Sequence, residues 1–205
     1  MKKFFPVFVI LLLLLGFPLG SYLYMKQGFA YRKKAIEAMG DFGPMPNLNA
    51  LANLRGDLPD SLRGNMVVVS WLDPNEKSTG DTYGTMLDSL FQQCQNSPHL
   101  YFTTITTADS TYVAKWAENY ALPEDDMLSF LAADSSSFQS IATDFALPED
   151  PGGQPIVALV DSSLTIRKFY DLREREQTIG LVQLISLIIP LPERGDVIVA
   201  PQKEL

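Results

Sequence analysis

The chain has 205 residues and a net charge of -8, with 24 Asp and Glu against 16 Lys and Arg. It holds one cysteine and one histidine, Cys94 and His99. An acidic chain with no basic run beyond Arg32-Lys33-Lys34 repels nucleic-acid phosphates, a lone cysteine has no internal disulfide partner, and this pair is too few for a zinc site of four ligands.

The first element is the uncharged run Phe4–Met25, FFPVFVILLLLLGFPLGSYLYM. As a helix it would span about 33 Å, enough for a hydrocarbon core of about 30 Å. Lys2 and Lys3 precede it, Lys26 and Arg32-Lys33-Lys34 follow, and Tyr22 and Tyr24 suit the interfacial belt. A cleaved signal peptide is the competing reading. Leu19-Gly20-Ser21-Tyr22 matches a small-x-small cleavage site poorly, so an uncleaved anchor is expected. Basic residues flank both ends, so the charge bias barely sets orientation. A short cytoplasmic N-terminus with the domain outside is the usual arrangement.

Residues 26–45 read as a juxtamembrane linker, helical through Tyr31–Met39 and broken by Gly40, Gly43, Pro44 and Pro46. Asn47–Leu54 and Asp57–Leu62 are weak strand or turn segments. Met66–Trp71 (MVVVSW) is an apolar β-branched run, the pattern of a strand buried on both faces. Asp73–Gly84 reads as a polar loop and Thr85–Gln95 as an amphipathic helix, with Leu87, Leu90, Phe91 and Cys94 on its apolar stripe. A strand over Leu100–Thr106, a helix over Ser110–Ala121, an extended piece at Met127–Leu131 and a helix over Ser135–Phe145 follow. Two strands, Ile156–Val160 and Thr165–Tyr170, flank the turn at Asp161-Ser162-Ser163. A last helix, Arg173–Ile189, is stopped by Pro190 and Pro192.

This alternation predicts an α/β fold with helices on the faces of a mixed sheet. A central parallel pair, a closing antiparallel hairpin and a final helix describe a thioredoxin-like domain. The expected organisation is an anchor at 4–25, the linker at 26–45, the domain at 46–190 and a tail at 191–205.

Arg63-Gly64-Asn65-Met66-Val67-Val68-Val69, Leu159-Val160-Asp161 and Ile166-Arg167-Lys168-Phe169-Tyr170-Asp171 resemble the Sco/SenC group of thioredoxin-like proteins. That resemblance implies one N-terminal membrane helix and a domain facing the periplasm, hence a single-pass protein of the inner membrane. It also implies copper binding and cytochrome c oxidase assembly, through a CxxxC loop with proline after its first cysteine and a histidine before the closing hairpin. Here Asp73, Pro74 and Lys77 occupy the loop, and Gly153 stands near the histidine's place. Carboxylate and ammonium are not ligands for soft Cu(I), and thiol exchange needs a thiolate. The copper and redox roles therefore do not carry over, and no cofactor is expected.

Other residues have ordinary readings. Cys94 is expected in the core, and His99 in a solvated turn. Asp73, Glu76 and Asp81 share the polar loop and offer a weak hard-cation site, although loop carboxylates are more often simply solvated. Ser135-Ser136-Ser137 is a helix cap region. The methionines are scattered and form no copper box.

The reading is a redox-inactive binding or scaffold domain. It would hold an envelope protein partner, in oxidase or copper-protein assembly, through Trp71, Asp73, Pro74, Lys77, Gly153, Gln154 and Pro155. The alternatives are an acid–base enzyme using Asp73, Glu76 and Lys77, a thiol-dependent partner acting through Cys94, and a purely structural domain. The likeness to thioredoxin-like proteins adds one geometric expectation: a cis bond between Gln154 and Pro155 that leaves the backbone of Gln154 open to an extended peptide.

Overall fold

The computed structural model describes residues 12–37, 39–95, 97–147 and 151–189. The chain divides into two compact units, one ending at Met39 and one beginning at Gly40.

In the first unit a π-helical segment, Leu12–Gly16, leads into helix α1, Phe17–Glu37. Among the described residues no helix is long and apolar enough to cross a membrane. This departs from the expected span at 4–25, whose residues 4–11 lie outside the described ones. The described helix does not stop with the apolar run but continues through Lys26, Lys33, Lys34 and Glu37. Its apolar side chains lie open: Leu14, Phe17, Leu19, Leu23 and Met25 are all more than half exposed.

The second unit is built on a six-stranded sheet. Its strands are β1 (Ala52–Arg55), β2 (Met66–Leu72), β3 (Leu100–Thr106), β4 (Leu128–Ala132), β5 (Ile156–Val160) and β6 (Ile166–Asp171), ordered β1-β4-β3-β2-β5-β6. The central strands β2, β3 and β4 are parallel, β5 runs antiparallel to β2, and β6 antiparallel to β5. This is the expected mixed sheet with a closing hairpin. Every residue of β2 is buried, as its β-branched run requires of a strand covered on both faces. The four-residue β1 is an antiparallel edge strand beside β4. Residues 40–45, read from the sequence as linker, belong to this unit: Gly40 N–H donates to Arg167 O, Phe42 N–H to Ile166 O and Met45 N–H to Leu164 O.

The helices of this unit are α2 (Lys77–Cys94), α3 (Ser110–Asn119), α4 (Ser135–Asp144) and α5 (Arg175–Ile188). Asp109 and Asp134 are the N-caps of α3 and α4, accepting from Tyr112 N–H and Ser137 N–H at 2.7 Å each. The cap of α4 is thus Asp134, just before the serine run. The Ser137 N–H and its neighbouring donors hold the Asp134 carboxyl down to about 2.

Helix α2 begins well before the expected Thr85, because packing overrides propensity. Glycine costs about 1 kcal/mol in a helix interior, and Gly80 and Gly84 make Asp73–Gly84 look like a loop. In the fold these two glycines let α2 approach its neighbours. A Cβ on Gly84 would lie 2.4 Å from the Tyr120 ring, and one on Gly80 would lie 3.3 Å from Leu72 and 3.5 Å from the Trp116 indole nitrogen. A buried hydroxyl network sets the register of this helix. Tyr83 Oη lies 2.8 Å from Thr104 Oγ1, to which Ser70 Oγ donates at 3.2 Å. Burial pushes the Tyr83 hydroxyl up to about 12, so it stays protonated near neutral pH.

Two aromatic clusters flank β2. In one, Trp71 meets Phe145 edge-on at 5.1 Å, and Phe138 and Ala142 of α4 belong to the same core. In the other, Trp116 stacks on Tyr83 at 5.8 Å and contacts Tyr120 and Phe130.

The Gln154-Pro155 bond is trans, since the described residues contain no cis peptide bond. This corrects the expected cis geometry. The trans proline opens β5 in an ordinary way: Pro155 O accepts from Leu172 N–H at 3.0 Å, and Gln154 O from Ile156 N–H at 2.8 Å.

Candidate functional site

The face outside the carboxyl end of β2 is built from three pieces of chain. The first is the loop Asp73–Glu76, much shorter than the expected polar loop. Asp73 Oδ1 accepts from the Asn75 backbone at 2.8 Å and from Asn75 Nδ2 at 2.9 Å, so this carboxylate oxygen serves its own turn. Pro74 is half-buried and Glu76 exposed.

The second piece is the start of α2. Lys77 is its first residue and is exposed. Thr79, buried two residues on, donates from Oγ1 to Gly153 O at 3.1 Å. The third piece is the turn Pro151–Pro155. Gly152 has φ +82°, and a Cβ built on it would lie 2.7 Å from the Asp73 Cβ. Turn and loop are therefore in contact. Gln154 Oε1 accepts from Arg173, which also reaches the Asp171 carboxylate through Nε at 3.0 Å.

The structure thus gathers Asp73, Gly153 and Gln154 on one face, with Trp71 buried beneath it and Pro155 closing the turn. Lys77 stands at the rim. Sequence reasoning missed Thr79 and Arg173. Thr79 sits in a stretch that looks like loop, and Arg173 meets Gln154 only because β5 and β6 fold back on each other.

Asp81 is not a loop residue. It lies on α2 and accepts from Tyr120 Oη at 2.5 Å. Desolvation and the Asp81 carboxylate push the Tyr120 hydroxyl up to about 12. Tyr112, in the first turn of α3, is raised by burial and then by Asp81 and Asp73, so its hydroxyl feels both carboxylates. The three acids Asp73, Glu76 and Asp81 do not converge: among the described residues no group of three or more His, Cys, Asp or Glu side chains is disposed to hold a metal ion. At the loop itself, a carboxylate turned to its own backbone and an exposed ammonium do not fit Cu(I).

Cys94 ends α2, about 25 Å along the helix from Lys77 at 1.5 Å per residue. It is half-buried rather than fully in the core, and burial pushes its thiol up. The thiolate is the reactive form. Alkylation of the native protein by iodoacetamide at pH 7 is therefore expected to run slower than that of the urea-unfolded chain, and a native rate equal to or above the unfolded one would contradict this. His99 Nδ1 lies 3.0 Å from Asn65 Oδ1, and its carbonyl accepts from Met66 N–H. It is half-buried and joins the starts of β2 and β3, at the opposite end of these strands from the Asp73 loop.

Neither a protein-family profile nor a curated protein sequence matches the chain. Solved structures do match. A SCO1/SenC family lipoprotein from Bacillus anthracis superposes with a TM-score of 0.56 at 13% identity, over 68% of this chain and 92% of its own. BsSco, a member of the Sco family of cytochrome c oxidase assembly proteins, gives 0.52 at 19% identity, over 72% and 94%. A thiol:disulfide interchange protein of the thioredoxin family from Chlorobium tepidum gives 0.51 at 11%, over 74% and 100%. The chain therefore has the thioredoxin-like fold that Sco/SenC proteins share with thiol–disulfide oxidoreductases.

Proposed function

We propose that this protein is a Sco-like thioredoxin-fold domain that works by binding, without copper or thiol chemistry at the Asp73 loop. Its partner is another envelope protein, and the setting is cytochrome oxidase or copper-protein assembly. One observation carries the reading: the loop–turn face keeps a defined shape, while Asp73, Lys77 and Gly153 supply no thiolate or imidazole there. A domain that retains the shape of a site and lacks its donors can still recognise a protein surface. The likeness to BsSco, whose family assembles cytochrome c oxidase, supports the setting.

The same proposal includes membrane attachment, with the domain on the periplasmic side. Its motive is the uncharged run Phe4–Met25 together with the open apolar side chains between Leu12 and Met25. The acid–base alternative is less well supported, because the Asp73 carboxylate is engaged by Asn75 and Asp81 by Tyr120.

The test is photo-crosslinking in intact membranes with the full chain, the crosslinker placed at Lys77 or at Ser89 on the exposed side of α2. A discrete protein captured from Lys77 and not from Ser89 is the expected result. Equal capture from both positions would remove the binding role from this face. In the same membranes, alkaline carbonate should leave the chain in the pellet. Its appearance in the supernatant, shortened at the N-terminus, would remove the anchor.

A further inference from the structure

We propose that Arg173 is a positioning residue that straps the turn Pro151–Pro155 into one shape, an inference that rests on the binding reading above for its consequence. The turn is fastened on two sides. From α2, Thr79 Oγ1 donates to Gly153 O at 3.1 Å. From the end of β6, Arg173 donates to Gln154 Oε1 and, through Nε, to both Asp171 oxygens at 3.0 Å. Asp171 is itself fixed, pairing with Ile156 across β5 and β6. The guanidinium thus ties the side chain of the turn to the rigid hairpin. Between the two fastenings Gly152 lies against Asp73.

A planar fork can hold a carboxylate and an amide oxygen at once, which an ammonium on a flexible stem does poorly. The Arg173 side chain is 52% exposed. Its attraction to Asp171 is therefore screened and adds little to global stability. What it does is local. Without it the Gln154 side chain loses its tether, and the Thr79 bond is left to hold the turn from the other side.

The experiment measures backbone order of Gly152 and Gly153 by 15N relaxation of the full chain, glycine-labelled, in detergent micelles. Gly80 and Gly84 within α2 are internal references. In the unaltered chain all four amides should have order parameters near about 0.85, the rigid value. In Arg173→Ala, Gly152 and Gly153 should fall toward about 0.6 while the references hold. Arg173→Lys should behave like Arg173→Ala, because charge alone does not make the fork. Gln154→Ala should show the same fall, and the double variant no further fall, as two halves of one contact require. Full rescue by lysine, or unchanged order in Arg173→Ala, would overturn the strap. The crosslinking assay separates the two proposals. Loosened glycines with partner capture retained would uphold the strap and sink the binding reading, and lost capture with glycine order unchanged would sink the strap.

Discussion

Gly152→Ala is expected to destabilise the domain by about 2–5 kcal/mol, the sum of two independent causes. The residue has φ +82°, a region where an L side chain costs about 1–2 kcal/mol. Its new methyl would also fall 2.7 Å from the Asp73 Cβ and 3.4 Å from Phe138 Cζ. Both neighbours are held, Asp73 directly after β2 by its bond from the Asn75 backbone and Phe138 buried on α4. Overpacking of this kind costs about 1–3 kcal/mol when neighbours must shift. Chemical denaturation followed by circular dichroism would show the midpoint move down with little change of slope. Gly180→Ala is the control. That glycine lies inside α5, and its added Cβ would meet only Tyr170 Cε1 at 3.6 Å, an ordinary contact. A helix-interior glycine replaced without a clash should stabilise by about 0.4–1 kcal/mol. A Gly152→Ala midpoint at or above that of the unaltered chain would mean that the close approach of turn and loop is not as described. Because the Gly152 change acts on the candidate face, it should also abolish partner capture under conditions where the domain remains folded.

Trp116→Ala should cost about 3–5 kcal/mol, the range for removing a large buried aromatic. Trp116 is 6% exposed and is the hub of one aromatic cluster, touching Tyr83, Tyr120 and Phe130. Its loss would open a cavity where Gly80 brings α2 against the indole. Trp116→Phe isolates the polar atom. The indole N–H is buried and has no hydrogen-bond partner among the described residues. An unsatisfied donor contributes a desolvation penalty and no bond. Phenylalanine removes that donor and keeps much of the ring, so its cost should stay below about 1.5 kcal/mol. A loss as large as that of Trp116→Ala would mean that the N–H makes a contact the fold does not display. The effect should be global, seen equally by fluorescence of Trp71 and by circular dichroism, since the cluster joins α2, α3 and β4.

Much of this protein is legible in its sequence, because the signals are local. The β-branched run Met66–Trp71 needs burial on both sides wherever it goes, and β5 carries a similar short apolar run. Helices α3 and α4 show apolar stripes, and each begins beside an aspartate able to cap it. One cysteine and one histidine, both distant from Asp73 in the chain, leave that loop with no thiol or imidazole of its own.

Tertiary contact decided the rest. Two glycines weaken α2 as an isolated helix, and only the Tyr120 ring and the Leu72–Trp116 surface turn that weakness into close packing. Residues 40–45 have little strand character alone and are held by the outer edge of β6. The contact of Gly152 with Asp73 depends on how β2 and β5 pair. Arg173 reaches Gln154 because the β5–β6 hairpin brings together residues 19 apart. Local sequence sets the periodicity and caps of each element, since these depend on residues within a few positions. The shape of the candidate face belongs to the fold, because its loop, turn and strap come from three separate parts of the chain, and only the pairing of β2, β5 and β6 brings them within bonding distance.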